Sequence, residues 1–328
     1  MLENKIYKNI PILNSLRFFA AFSVCVFHFV CTTNGLIYNE LIIFIFDHGK
    51  YGVQMFFVIS GFVIPWSMYN SNYKINKIFK FLLKRFLRLE PPYIISMILF
   101  ISIILTLRIG LNIFDVQFSL EQILLHFGYL IPFFEGFKWL NDVYWSLAIE
   151  FQYYLLISIL FPLFIHSNSI YRYILYFLFL SLSINSNFSF IFYWLPIFLM
   201  GIIIFLKFIE KIKIIEFYSL LLLLTIWVIY FYGIACGVFS IVTVILILYF
   251  KNNELKTLSF LGEFSYSLYL IHNFTGAILI NLLSPYMINL WQKILLLIFS
   301  LVISYILAWV MFILIEKPSK KWSATIKY

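Results

Sequence analysis

Long apolar runs recur from one end of the chain to the other, and they restrict the folds that are open to it. Of the 328 residues, 63% are hydrophobic and 11% are charged, and the mean hydropathy is +0.99. Soluble domains carry about 25% charged residues. A helix of about 20 apolar residues satisfies its own backbone hydrogen bonds and spans the bilayer core. The sequence therefore predicts an all-α, polytopic membrane helix bundle, formed by one domain over residues 1–328.

Hydropathy read against polar breaks predicts about ten transmembrane helices. They lie near residues 10–31, 51–69, 91–109, 142–165, 171–184, 189–207, 216–232, 235–250, 258–281 and 291–315. The fifth is short, and a brief turn at Tyr232–Gly233 separates the seventh from the eighth, so nine or eleven spans are the alternatives. The first segment carries Arg17 and His28 and shows no small-residue cleavage site, which indicates a retained helix and not a signal peptide.

The distribution of Lys and Arg indicates the orientation of the bundle. With ten spans, 18 of the 23 Lys and Arg residues fall on the side of the termini, four fall on the other side, and Arg17 lies inside the membrane. Cytoplasmic loops hold the excess of these residues, so we expect both termini in the cytoplasm. The net charge of +9 is then a topology signal, and no nucleic-acid partner is expected. Cys25, Cys31 and Cys236 form no CxxC pair and predict neither a disulfide nor a metal site.

Two loops are longer than simple turns. Residues 70–90 form a basic cytoplasmic loop in which apolar residues recur at helical spacing. This pattern predicts an amphipathic surface helix that stops at the Pro91–Pro92 break. Residues 110–141 form an outer loop, and we expect its apolar stretch near Ile123–Phe134 to reach the membrane interface.

Ionisable side chains inside the predicted spans are candidates for function, because each is costly unless it is paired or solvated. Arg17 and His28 are 11 residues apart, which places both on one face of the first helix, about 16 Å apart along its axis. That face carries a cation near the cytoplasmic end and a proton-transfer group towards the outer end. The alternative is that Arg17 is an interface anchor and His28 a packing residue.

Two further spans carry polar groups at a similar depth. Glu150, in WSLAIEFQYY, is expected in the outer half of the membrane beside His28, where a carboxylate would hold the tautomer of the imidazole. The alternative is that Glu150 is a structural partner for another helix. In FSYSLYLIH, Tyr269 and His272 lie on one polar stripe, for which interhelical packing is the favoured interpretation.

Small residues and arginines supply the remaining candidates. MFFVISGF places Ser60–Gly61 at mid-depth, which permits close helix approach and a local unwinding before Pro65. Arg85 and Arg88 follow i, i+3 spacing in the basic loop, and two guanidinium groups so placed suit the phosphates of a polyanion. The alternative for the arginines is attraction to anionic lipid.

Taken together, these segments resemble the acyltransferase-3 family of membrane O-acyltransferases over residues 12–318. The similarity rests on several motifs in family order: LNSLRFFAAFSVCVFHF, MFFVISGF, KRFLRLEPPY, YWSLAIEFQYYL, LGEFSYSLYLIH and IEKP. The Asp-Gly that is common in the first motif of the family is Asn14–Ser15 here, so any role of that acid is absent or changed. The chain ends at Tyr328 without the extracytoplasmic hydrolase-like domain of some relatives, so we expect the membrane domain to act alone or with a separate partner.

The resemblance implies transfer of an acyl group, usually acetyl, from cytoplasmic acyl-CoA to a hydroxyl of an extracytoplasmic carbohydrate, such as O-antigen of lipopolysaccharide, capsule or exopolysaccharide. Acetyl-CoA is then the donor substrate, and no metal is expected. The implied location is the bacterial inner membrane, with membrane lipid, a lipid-linked acceptor and polysaccharide-assembly proteins as further partners. Peptidoglycan precursor, periplasmic glucan, an antibiotic and a lipid stay open as acceptors.

The candidate residues fit roles in such a reaction. Arg85 and Arg88 would bind the CoA phosphates, and Arg17 would guide the pantetheine arm or its phosphate. His28 would act as general base on the sugar hydroxyl or carry the acyl group itself, and Glu150 would orient it. Three residues are expected at the acceptor side or in packing: Ser60, Tyr269 and the alternative second base His272.

Two other classes of protein would bury similar groups. A transporter or flippase of a glycan intermediate would use the buried Arg, His and Glu as a relay, and it would move substrate without consuming acyl-CoA. A non-catalytic membrane scaffold would tolerate the loss of every buried ionisable residue.

Overall fold

The computed structural model describes five stretches of the chain: 10–33, 36–37, 39–111, 118–253 and 255–328. These residues form helices joined by turns, and no strand occurs among them. Lys5, Lys8 and residues 112–117 of the outer loop lie outside the described residues. The helices are α1 (Ile12–Phe27), α2 (Glu40–Asp47), α3 (Gly52–Asn70), α4 (Ile78–Leu111), α5 (Leu120–His126), α6 (Tyr144–Phe164), α7 (Ile170–Ser183), α8 (Ile191–Phe208), α9 (Ile214–Tyr232), α10 (Ile234–Tyr249), α11 (Lys256–Glu263), α12 (Ser265–His272), α13 (Ile278–Leu283), α14 (Leu290–Met311) and α15 (Lys317–Thr325).

Apolar helices of membrane-spanning length dominate the described part of the chain. Eight helical stretches there are long and apolar enough to cross a membrane, and α7 and α10 are shorter apolar helices. Together they account for the ten predicted spans. Because helices satisfy their backbone hydrogen bonds internally, they can expose apolar side chains to lipid on all outer faces. The prediction of an all-α, polytopic membrane bundle is confirmed.

The crossing of α3 and α8 lies at the centre of the bundle, where two glycines let the backbones meet. A Cβ added at Gly61 would overlap the backbone oxygen of Phe198, and one added at Gly201 would overlap the backbone of α3. Beside the crossing, Phe57 stacks on Phe198 with ring centroids 4.8 Å apart. Small residues at membrane helix contacts allow such an approach. The close approach predicted at Ser60–Gly61 is confirmed.

The predicted surface helix at 70–90 is not separate from the third span, and this part of the prediction is wrong. A 3₁₀ turn precedes α4, which then runs without interruption through Pro91 and Pro92. Proline removes a backbone donor but keeps a helical φ, and α4 packs against α6, α12 and α15. Beside the two prolines, the Tyr266 hydroxyl of α12 donates to the Leu89 carbonyl at 2.9 Å. Tertiary contacts therefore hold the helix through a sequence that would break it in isolation.

Three other boundaries differ from the predictions. α3 continues through Pro65, so the unwinding expected before it is absent. No pattern in the sequence predicts α2, which has only eight residues. The ninth predicted span, 258–281, is divided into α11 and α12 at Phe264, where φ is −110° and ψ is 20°. π-Helical turns also follow α1, α12 and α14, at His28–Thr32, Asn273–Ala277 and Phe312–Glu316.

Candidate active site

A cavity of about 420 Å³ lies between α1, α3, α4, α6, α11, α12 and the start of α15. Its charged lining residues are five cations and three carboxylates: Arg17, Arg85, Arg88, Lys317, Lys320, Glu150, Glu263 and Glu316. Its apolar and aromatic lining residues include Val53, Phe56, Phe57, Leu147 and Tyr269. This lining suits a ligand that joins an anionic part to an uncharged part.

The cavity has an arginine end, at Arg85, and a tyrosine end, at Tyr269. The Arg85 guanidinium lies 5.7 Å from the centroid of the Tyr154 ring. The Tyr269 hydroxyl lies 2.6 Å from Ser146 Oγ. Tyr154 and Ser146 both belong to α6, and their positions, eight residues apart in the sequence, are separated by about 12 Å along the helix axis. The two ends are therefore separated by about that distance along α6.

The arginine end contains guanidinium donors that no described residue satisfies. Arg85 is 4% exposed, and its Nε and Nη2 atoms have no hydrogen-bond partner in the described part of the chain. The guanidinium lies 5.2 and 5.7 Å from the ring centroids of Phe81 and Tyr154. A buried charge without a hydrogen-bonded counter-charge is costly. This arrangement favours an anionic ligand as the missing partner.

Arg17 lies in the same cavity as Arg85 and Arg88, so the three predicted cofactor-binding arginines are brought together. Arg17 Nη1 donates to Asn14 Oδ1 at 3.1 Å. Asn14 occupies the position of the aspartate common in the family, and its amide keeps the acceptor oxygen but not the charge. Glu150 also lines this cavity, and its negative charge acts on Arg17. The positive charge of the three arginines thus exceeds the negative charge of Glu150 beside them.

Glu150 belongs to this cavity and not to His28, so the predicted pairing of the two residues is wrong. Glu150 Oε1 accepts hydrogen bonds from Ser60 Oγ at 3.0 Å and from the Tyr154 hydroxyl at 2.5 Å. Tyr154 is one turn further along α6, and Ser60 lies on α3 beside Gly61, the residue at which α3 meets α8. The carboxylate is thereby turned towards the arginine end.

His28 and His272 form a ring pair beyond the tyrosine end. Their ring centroids are 5.2 Å apart, and the His272 ring lies 6.0 Å from that of Tyr269. His272 is fully buried, and its Nδ1–H donates to the Leu268 carbonyl at 3.0 Å. Its Nε2 is then the lone-pair nitrogen, and it has no partner among the described residues. His28 begins a π-helical turn, a feature frequent at functional sites.

A family model for the acyltransferase domain, of the acyltransferase-3 type, matches residues 10–313. The chain belongs to the acyltransferase-3 family. No curated protein and no solved structure matches it. The resemblance inferred from the motifs is confirmed, and the protein is a multi-pass membrane acyltransferase.

Two buried carboxylates of this acyltransferase received no role from the sequence. Glu316, in the IEKP motif, is 1% exposed and lines the cavity. Glu90, directly before the two prolines of α4, is 2% exposed and lies beside Tyr129. Both are isolated acids next to apolar runs. The predicted spans 91–109 and 291–315 begin and end one residue away from them, so the rule that identified Glu150, an acid inside a predicted span, does not identify these two.

Proposed function

We propose that this acyltransferase moves an acyl group, with acetyl as the expected group, from cytoplasmic acyl-CoA to a hydroxyl of an extracytoplasmic carbohydrate. The observation that carries the proposal is the buried Arg85 guanidinium, which has unpaired donors and lines one cavity with Arg17 and Arg88. Guanidinium groups bind phosphate through paired hydrogen bonds. Coenzyme A joins its phosphates to a long uncharged arm, which would extend from the arginine end towards the tyrosine end.

His28 is proposed as the catalytic group, in one of two routes. As a general base, its imidazole takes the proton of the sugar hydroxyl while the hydroxyl oxygen attacks the thioester carbonyl. The CoA thiolate leaves and receives that proton. As an acyl carrier, a ring nitrogen of His28 attacks the thioester and the CoA thiolate leaves; the sugar oxygen then takes the acyl group as the bond to the His28 nitrogen breaks, and the hydroxyl proton passes to the thiolate. In both routes His272 offers an acceptor nitrogen that would hold the tautomer of His28.

Glu150 is proposed to act within the donor cavity. Its carboxylate is held by Ser60 and Tyr154, and it partly balances the arginines when no ligand is bound. The proposed location is the bacterial inner membrane, as the family implies, and the excess of Lys and Arg on the side of the termini supports a cytoplasmic location of both termini. O-antigen, capsule and exopolysaccharide, in lipid-linked form or with polysaccharide-assembly proteins, are the proposed acceptor classes.

Binding of CoA to purified protein in lipid nanodiscs tests the donor site. Arg85→Ala combined with Arg88→Ala should weaken CoA binding at least about tenfold, because charged hydrogen bonds contribute about 1.5–3 kcal/mol each. Lys80→Ala is the matched control, since Lys80 is an exposed cation on the same helix and does not line the cavity. Unchanged CoA affinity in the double variant would contradict a role of these arginines in donor binding and would favour their attraction to anionic lipid.

Mass spectrometry of the cell envelope tests the reaction itself. Removal of the gene should strip acyl groups from one envelope glycan, and the wild-type gene, but not a His28→Ala gene, should restore them. Purified protein should also consume labelled acetyl-CoA in the presence of that glycan. Movement of a glycan without consumption of acyl-CoA would contradict transfer and support a transporter.

A further inference from the structure

The helical segment that carries the tyrosine end is broken at Phe264, and two side chains from the C-terminal part of the chain satisfy the break. On the α12 side, Glu316 Oε2 accepts hydrogen bonds from the Ser267 backbone N–H at 3.1 Å and from the Ser267 hydroxyl at 2.6 Å. On the α11 side, Lys320 Nζ donates to the Glu263 carbonyl at 2.8 Å. The first turn of α12 thus receives a hydrogen-bond acceptor, and the last turn of α11 receives a hydrogen-bond donor.

The two side chains also pair with each other. Lys320 Nζ lies 2.6 Å from Glu316 Oε1, and the Glu316 side chain is 2% exposed. A carboxylate at the first turn of a helix and an ammonium group at the last turn both have the sign that the peptide dipoles favour. Helix ends in a membrane need partners for their free backbone groups. The ion pair therefore satisfies two helix ends at once, and removal of Lys320 leaves Glu316 as a buried carboxylate without its counter-charge.

The break also has a fixed position relative to α1. No side chain fits at Gly262 in α11, because a Cβ there would overlap the backbone oxygen of Asn14 in α1. α1 carries Arg17 at the cavity and His28 beyond it. Since α11 is held against α1, the geometry of the break determines where α12 lies relative to both residues.

We propose that Glu316 and Lys320 are positioning residues for acyl transfer, because they set the break that holds α12 in register with the donor cavity. α12 carries Tyr269 at the tyrosine end and His272 beside His28. The pair acts through these residues and takes no part in bond formation. This inference rests on the proposed function, since it assigns α12 to the transfer step and the arginine end to donor binding.

Glu316→Gln distinguishes a positioning role from a binding role, because the two roles predict different changes in kcat and in CoA affinity. A carboxamide offers one acceptor oxygen where two Ser267 donors and the Lys320 ammonium group converge. Acyl transfer should therefore fall at least tenfold in kcat. CoA affinity should stay the same or increase, because a negative charge is removed from a cavity that binds a polyanion. Weaker CoA binding with an unchanged kcat would overturn the proposal.

Lys317→Met is the charge-matched control for Lys320→Met. Both lysines line the cavity, but the hydrogen bonds to the break come from Lys320. Both variants should weaken CoA binding to a similar extent, and kcat should fall in Lys320→Met alone. Lys320→Arg keeps a charged donor and should recover most of the lost kcat. An equal loss of kcat in the two Met variants would overturn the proposal.

Hydrogen exchange gives a readout that does not need activity. Peptides that cover 262–272 should exchange at least tenfold faster in Glu316→Gln than in wild type, and at the wild-type rate in Lys317→Met. Unchanged exchange in Glu316→Gln would contradict the role of the pair in the break. A wild-type protein that binds no CoA and transfers no acyl group would contradict the proposed function instead, so the two failures come from different measurements.

Discussion

The arginine end and the tyrosine end of the cavity differ in how far their polar groups are satisfied. At the arginine end, Arg85 has unpaired donors and Arg17 donates to a neutral amide. At the tyrosine end, the Tyr269 hydroxyl interacts with Ser146 Oγ at 2.6 Å and donates to the Val143 carbonyl at 3.2 Å. Satisfied buried networks are rigid, whereas unpaired buried charges are costly. The arginine end is thus expected to supply ligand affinity, and the tyrosine end is expected to position the reacting groups.

The largest effect is expected from His28→Ala, which changes the region beyond the tyrosine end. Removal of a general base or acyl carrier should lower the acyl-transfer rate by about 10²–10⁴-fold, whereas CoA affinity should change less than about twofold. Transfer is measured with labelled acetyl-CoA and CoA binding by calorimetry, with His166→Ala, at an exposed histidine, as the control. A wild-type transfer rate in purified His28→Ala would contradict the placement of the reacting groups beyond the tyrosine end.

Phe56→Ala should change which acyl groups the tyrosine end accepts. The Phe56 ring meets that of Tyr269 edge to face, with centroids 5.8 Å apart, and both line the cavity. Removal of the ring opens space for extra methylenes, and each methylene in an apolar pocket changes kcat/KM by about tenfold or more. The ratio of kcat/KM for butyryl-CoA to that for acetyl-CoA should therefore rise about tenfold. Val63→Ala, which also lines the cavity, is the control and should leave this ratio near the wild-type value.

A smaller effect is expected from Glu150→Gln, which removes a negative charge from the cavity. The carboxamide oxygen can still accept from Ser60 and Tyr154, so the local geometry is kept. The loss of charge should tighten CoA binding about fivefold, since a charge at cavity distance contributes about 1 kcal/mol. Titration with CoA measures this change. Weaker binding would show that Glu150 contacts the ligand directly.

The position of a residue along its own helix is predictable from this sequence, whereas the partner that its side chain meets on another helix is not. The span count follows from hydropathy because the bilayer fixes helix length. The shared cavity of Arg17, Arg85 and Arg88 agrees with their expected place near the cytoplasmic ends of two helices. The direction of the Glu150 side chain is different, because it depends on a hydrogen bond from Ser60 of α3, which is 90 residues away in the sequence.

The two largest errors in helix boundaries have the same cause. Pro91 and Pro92 predict a break, yet neighbouring helices hold α4 together there. At Phe264 there is no proline, Gly262 two residues earlier lies within α11, and the partners that satisfy the break are about 50 residues away, at Glu316 and Lys320. Local propensity is a weak guide where distant side chains supply the missing hydrogen bonds.

The smallest expected effect concerns pH and the outer loop that packs over the tyrosine end. In this loop His126 is fully buried, and burial lowers its pKa below the ordinary value of 6.5. Its Nδ1–H donates to the Gln122 carbonyl at 2.7 Å, and its Nε2 accepts from the Leu140 N–H at 3.0 Å. A proton on Nε2 would remove this acceptor. The closed loop binds the proton less readily than the open loop, so its stability is complete above about pH 6.5 and falls as the pH drops below that value.

Hydrogen exchange of peptides covering 119–141 at pH 7.5 and pH 5.5, corrected for the intrinsic rates, measures this opening. Exchange should be several-fold faster at the lower pH in wild type, and the pH dependence should disappear in His126→Gln. The loop contacts α12 through Asn141, whose amide donates to the Leu270 carbonyl at 3.0 Å. Opening at low pH should therefore slow acyl transfer but leave CoA binding at the arginine end unchanged. A parallel loss of CoA binding would show that the two ends of the cavity are not independent.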